Sequence, residues 1–215
     1  MILTEFSSCE AASAAATTFL VEHLESSLAR QSRAALMVSG GSSPVACLGQ
    51  LSERAIDWSR VDVSLTDERL VAVTHEASNQ KMVRETLLIN VASGASFCEL
   101  SAANADLIVS AQPVCLVGMG EDGHFASIFP DSSELDDLLD LDAAPAVVDI
   151  TTDSSPYPRR TANLAMLLRS SVILLLVYGE KKRAVLEASS ERLSGLPIAR
   201  LIQQTRVPIN IYWAP

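Results

Sequence analysis

The chain has 215 residues, of which 48% are hydrophobic and 20% charged, and carries a formal net charge of −10. A chain of this length buries one sizeable core, so a single domain spanning residues 1–215 is expected. The negative charge argues against nucleic acid or an anionic membrane as partner, and an anionic ligand would have to be held by a local cluster of cations.

Residues 8–30 are rich in Ala, Leu and Glu with apolar positions at helical spacing, which predicts an amphipathic helix against a sheet. Ala34–Val38 reads as a strand that runs into Ser39-Gly40-Gly41-Ser42-Ser43-Pro44, and residues 45–54 as a helix with Pro44 in its first turn. Val61–Leu65 is a second strand, delivering Thr66-Asp67-Glu68-Arg69. Residues 78–89 predict a helix capped by a serine, and residues 101–110 another. A strand from Val114 then ends in glycines. The acidic stretch 131–142 reads as a short solvated helix or loop. Residues 147–151 form a strand candidate, Val172–Tyr178 a buried central strand, residues 180–189 and 196–204 helices, and residues 209–213 a terminal strand. Strands alternating with helices predict an α/β fold, mainly a parallel sheet with helices on both faces.

The most informative run is Val114 to Pro130, V-C-L-V-G-M-G-E-D-G-H-F-A-S-I-F-P. Gly118 and Gly120 let the backbone turn at a strand's carboxyl end, where open α/β sheets bind ligands, and Asp122 and His124 follow at once. His124 is therefore the first candidate for an acid or base. Gly118, Gly120 and Gly123 also spell G-x-G-x-x-G, but Pro130 interrupts the segment before it can form the long helix of a dinucleotide site.

Small residues at Ser39 to Pro44 expose backbone N–H groups to one point, which suits either a phosphate or a tight turn with a serine cap. Arg69 offers a fork that matches phosphate oxygens, although in isolation its segment reads rather as a surface ion pair with Asp67 or Glu68. Arg159 and Arg160 lie on a Pro-rich turn, and Lys181, Lys182 and Arg183 follow the most apolar strand. Several cations at strand exits favour an anion pocket over solvated charge runs. No H-E-x-x-H or Cys/His cluster is present, so no metal is expected, and no G-x-S-x-G elbow suggests a serine hydrolase. Four scattered cysteines without C-x-x-C spacing, no signal-like N-terminus and no long apolar run predict a soluble, reduced, cytoplasmic protein.

In this order, S-G-G-S-S-P, T-D-E-R, S-N-Q-K-M-V-R-E-T-L-L, G-M-G-E-D-G-H-F-A-S-I-F-P, the Pro/Arg-Thr turn and G-E-K-K resemble the 6-phosphogluconolactonase family over residues 35–190. The G-x-G-x-D-G-H segment is shared with the related glucosamine-6-phosphate deaminases. Those carry glutamate where this chain has Phe129, and D-E-Y where it has Asp67-Glu68-Arg69. The resemblance implies a modified Rossmann-like, sugar-phosphate isomerase-like fold that hydrolyses 6-phospho-D-glucono-1,5-lactone in the pentose phosphate pathway without a cofactor. It makes His124 the catalytic histidine and Asp122 its acidic neighbour. Gly40, Gly41, Ser42, Asp67, Arg69, Arg159 and Lys182 become substrate or phosphate contacts. The family's R-I-T is R-R-T here, which leaves open whether Arg159 or Arg160 faces the ligand, and the threonine that usually follows the histidine is Phe125. A monomer acting on a small sugar phosphate is the expected state. The alternative on the same scaffold is a sugar-phosphate deaminase or isomerase. A DNA-linked sugar-phosphate sensor is opposed by the charge and by the absence of spare residues for a DNA-binding domain.

Overall fold

The computed structural model describes residues 1–190 and 194–215. Ten strands and eight α-helices follow one another along these residues. The first part runs β1 (Ile2–Glu5), α1 (Cys9–Arg30), β2 (Ala34–Val38), α2 (Val45–Ser52), β3 (Val61–Leu65), β4 (Asp67–Arg69), α3 (Asn79–Thr86), β5 (Ser96–Phe97) and α4 (Ala105–Ser110). Then come β6 (Val114–Val117), α5 (Leu135–Leu139), β7 (Val147–Ile150), β8 (Arg159–Ala162), α6 (Leu164–Leu167), β9 (Val172–Tyr178), α7 (Glu180–Ser190), α8 (Pro197–Gln203) and β10 (Ile209–Ala214).

Seven strands form an all-parallel sheet in the order β1-β10-β9-β6-β2-β3-β5. The chain builds outward from β2 through β3 to β5, then returns to β6 and builds the other way through β9 to β10. The order therefore reverses between β2 and β6, and the loops leaving those two strands part to leave a crevice at their carboxyl ends. Residues of β2 and β6 are buried throughout, as are those of β9 up to Val177, because helices cover both faces; their unbroken apolar runs are the mark of such strands.

Local chemistry explains the main elements. The Ser8 hydroxyl accepts the Ala11 N–H and starts α1. Ala12, Ala16, Leu20 and Leu24, spaced four apart, then line one buried face, where small residues admit close approach to the sheet. Ser78 likewise caps α3 by accepting the Lys81 N–H. The predicted helix over 78–89 stops at Thr86, and that over 101–110 opens with a 3-10 turn at Ala102–Asn104. No helix among the described residues is long and apolar enough to cross a membrane.

The strand–helix alternation does not reveal a second, three-stranded antiparallel sheet in the order β4-β8-β7. It begins directly after β3, because the Thr66 N–H donates to the Val38 carbonyl of the main sheet while the Thr66 carbonyl accepts the Ala162 N–H. The strand candidate at 147–151 belongs to this sheet, and the Pro-rich turn continues as β8 from Arg159 onward. Its antiparallel register places Arg69 opposite Arg159.

Candidate active site

A cavity of about 290 Å³ opens at the reversal point. The β2 exit contributes Gly40, Gly41 and Ser42 to its wall, β4 contributes Asp67 and Arg69, and the β6 exit contributes His124. Arg159 from β8 and Lys182 from the first turn of α7 complete the set. Of the nine residues singled out in the sequence, eight line this one cavity; the ninth, Asp122, reaches it through His124.

The loop after β6 is closed by the Gly120 N–H donating to the His124 carbonyl at 2.9 Å. This turn brings Asp122 Oδ1 to 2.6 Å from His124 Nδ1, and the same oxygen accepts the His124 backbone N–H at 3.2 Å. An ionised carboxylate only accepts, so Nδ1 carries the proton and Nε2 is the nitrogen left to the cavity. Half-burial alone would raise the Asp122 carboxyl, but the hydrogen bonds and charge of His124 outweigh it and hold it below the ordinary carboxylate range. The imidazole leans on Phe129 with ring centroids 4.4 Å apart, and a Cβ at Gly120 would lie 2.3 Å from its Cε1 and Nδ1. Glycine at 120 is thus the space the ring occupies.

On the opposite wall, Asp67 is buried and accepts the Ser127 hydroxyl at 2.6 Å, while its Oδ2 lies 3.8 Å from Arg159 Nη1. Burial pulls the Arg159 guanidinium below its usual range, the neighbouring Arg69 charge adds to this, and Asp67 and Glu68 oppose it. Arg69 donates from Nη1 to the Ala77 carbonyl at 2.6 Å, and its buried Nε has no partner among the described residues. Lys182 is also lowered, first by burial, with the carboxylates of Glu121 and Asp122 acting the other way. Three cations crowd a small cavity in an acidic chain, an arrangement that attracts an anion.

The structure separates groups that the sequence lists side by side. Glu68 turns from the cavity and caps α3, accepting the N–H groups of Asn79 and Gln80 at 2.7 Å each. Arg160 faces away and makes a two-pronged pair with Asp149 at 2.7 and 2.9 Å, so Arg159 is the arginine of this pair at the cavity. Of the three cations that follow β9, Lys181 reaches Glu121 and Arg183 pairs with Glu5 and Glu187, leaving Lys182 to the cavity.

Sequence reasoning missed Asn79, which lines the cavity, lies where a Gly40 Cβ would be 1.9 Å from its Oδ1, and donates from Nδ2 to the Asp67 carbonyl at 2.8 Å. It missed Ser127 and Ser155 as well; Ser155 accepts Arg159 Nε at 2.7 Å. Within the sequence Asn79 reads only as the opening of a helix, and the two serines carry no local signal.

A family model described as glucosamine-6-phosphate isomerases/6-phosphogluconolactonase matches residues 7–213. The chain belongs to this family. One family relative, a 6-phosphogluconolactonase of Caulobacter vibrioides, is 37% identical over 226 residues, covering 99% of this chain and 97% of its own. Another, from Pseudomonas aeruginosa, is 39% identical over 207 residues, covering 89% and 86%. The crystal structure of a 6-phosphogluconolactonase from Shewanella baltica superposes with a TM-score of 0.90 at 32% identity, over 100% of this chain and 98% of that one. The fold alone is shared with a monomeric glucosamine-6-phosphate deaminase, at a TM-score of 0.76 and 18% identity, over 100% of this chain and 97% of that one.

Proposed function

We propose that this chain hydrolyses 6-phospho-D-glucono-1,5-lactone to 6-phospho-D-gluconate, the lactonase step of the oxidative pentose phosphate pathway, with His124 activating the water. The observation that carries this reading is the His124–Asp122 pair, 2.6 Å apart, set in one cavity with Arg69 and Arg159. Relatives named 6-phosphogluconolactonase, matching over most of the chain, support it.

A lactone carbonyl is already electrophilic. Water attacks C1 as His124 Nε2 takes its proton, and negative charge develops on the former carbonyl oxygen in a cavity lined by cations. Collapse breaks the bond from C1 to the ring oxygen, and the imidazolium returns the proton to that oxygen, leaving the open-chain acid. Asp122 orients the ring through Nδ1 and stabilises its charged form. Arg69, Arg159 and Lys182, with the Gly40-Gly41-Ser42 backbone and with Asp67 steadying Arg159, hold the phosphate, whose binding aligns C1 with the water. Water is the only co-reactant, so the step as written needs neither metal nor cofactor. No serine hydroxyl is hydrogen-bonded to His124 among the described residues, which favours direct attack by water over an acyl-enzyme route. The same reading takes the chain as one domain, monomeric and cytoplasmic, acting on a small anion rather than on nucleic acid or a membrane.

The test is acid release from freshly made 6-phosphogluconolactone against the spontaneous blank, beside ammonia release from glucosamine 6-phosphate. Acceleration of the first without the second is expected. The reverse result would make the chain a deaminase.

A further inference from the structure

The two arginines of the cavity are each tethered from behind, and the tethers meet. Arg69 Nη1 donates to the Ala77 carbonyl at 2.6 Å, and the Ala77 N–H donates to Nδ1 of His75 at 3.0 Å. Arg159 Nε donates to the Ser155 hydroxyl at 2.7 Å, and that hydroxyl donates to the Tyr157 carbonyl at 2.7 Å. The rings of His75 and Tyr157 then meet edge to face, with centroids 5.5 Å apart and planes at 72°. The same two loops are also joined at their roots, where the Leu70 N–H donates to the Pro158 carbonyl at 2.9 Å.

We propose that His75 and Tyr157 act as a clamp of positioning residues that holds the forks of Arg69 and Arg159 toward the cavity before substrate arrives. The inference rests on the reading of those two arginines as the phosphate-binding pair. The strands alone place only the backbones: β4 and β8 set Arg69 opposite Arg159. Two like charges on long, flexible stems repel one another; after burial, the Arg69 charge is what lowers the Arg159 guanidinium, with Asp67 and Glu68 opposing. Fixing the stems beforehand removes an ordering cost from binding. His75 suits the task because it holds both peptide units that flank Ala77: its Nδ1 accepts the Ala77 N–H, and its backbone carbonyl accepts the Ser78 N–H at 3.0 Å, in the same unit as the carbonyl that holds Arg69; losing the ring acceptor releases the first unit and leaves Ala77 fixed from one side only. Neither ring lines the cavity, so each acts through its loop.

The test compares His75→Leu, which loses acceptor and ring, His75→Asn, whose Oδ1 restores an acceptor near the Nδ1 position, and Tyr157→Leu, which loses the ring contact. Each is assayed for KM and kcat on 6-phosphogluconolactone and on unphosphorylated gluconolactone, and for 6-phosphogluconate binding by calorimetry. His75→Leu is expected to raise KM for the phosphorylated lactone roughly tenfold, the scale of a weakened charge-assisted contact, with kcat nearly unchanged. His75→Asn should fall between wild type and His75→Leu, Tyr157→Leu should raise the same KM, and a double variant combining His75→Leu with Tyr157→Leu should be no worse than His75→Leu alone, because the residues act as one unit. KM for the unphosphorylated lactone should stay put. Wild-type KM in cooperatively folded His75→Leu and Tyr157→Leu, or equal losses on both lactones, would overturn the clamp. If the leucine variants do not fold, His75→Asn decides alone: a raised KM confined to the phosphorylated lactone supports the clamp, and an unchanged one overturns it. Wild-type protein that binds no 6-phosphogluconate would instead overturn the phosphate reading beneath it.

Discussion

Asp122 Oδ1 accepts both the Nδ1–H and the backbone N–H of His124, at 2.6 and 3.2 Å, so one carboxylate fixes the tautomer, the orientation and the backbone of the proposed base. The pair is local, two residues apart, and partly open to solvent, with side-chain exposures of 30% for His124 and 39% for Asp122. Phe129 and Gly120, which bound the ring, belong to the same segment, but the cations come from β4, β8 and α7.

His124→Ala should lose most of the turnover while still binding 6-phosphogluconate, because a base acts in the transition state and the phosphate contacts remain. The expected loss in kcat is ~10²–10⁴-fold. Near wild-type turnover in a folded variant would remove His124 from the mechanism.

Asp122→Asn should lower kcat by up to ~10⁴-fold if the amide turns its N–H to the ring and selects the other tautomer. Its stability effect has a defined pH window. The folded carboxyl lies below its unfolded value of ~3.9, so the ionised group stabilises the fold fully above that value and loses its contribution as pH falls through the lower, folded one. Melting temperatures of the wild type and the variant should therefore differ by a constant amount above about pH 5 and converge in stronger acid. A gap that widens on acidification would contradict the assignment.

Gly120→Ala should impair catalysis more than folding. Gly120 is not among the glycines with positive φ, so alanine meets no backbone strain, yet its methyl would press on the imidazole and on Asp122 Oδ1. Displacing the ring by about an ångström is expected to cost on the order of 10²-fold in kcat with KM little changed. Unaltered kcat would show that the ring moves without consequence.

Arg159→Ala should cost tenfold or more in kcat/KM for the phosphorylated lactone, following loss of a charge-assisted contact of ~1.5–3 kcal/mol, and far less for gluconolactone. Arg160→Ala should leave both reactions within about twofold, because its exposed pair with Asp149 lies outside the cavity. A reversal of the two effects would mean that the strand presents its other face to substrate.

Much of the site was legible because its signals are local. An apolar run ending in glycines identifies a buried parallel strand and its exit without reference to distant residues, and Ala34–Val38, Val61–Leu65 and Val172–Tyr178 fall where the sequence places them. The same logic singled out Gly40, His124 and Lys182 at strand exits. Tertiary structure alone decided which neighbour in each pair does what. Arg159 and Arg160 are adjacent, and strand alternation sends them to opposite faces; the register of β8 against β4 determines which face meets the cavity. Asp67 and Glu68 diverge in the same way, one to Ser127 sixty residues on, the other to the start of α3. Asn79 and Ser127 were invisible because their hydrogen bonds to Asp67 follow from packing between separate segments, which no local pattern of residue types encodes; Ser155 bonds within its own turn, to Tyr157 and Arg159, where a serine reads only as an ordinary turn residue.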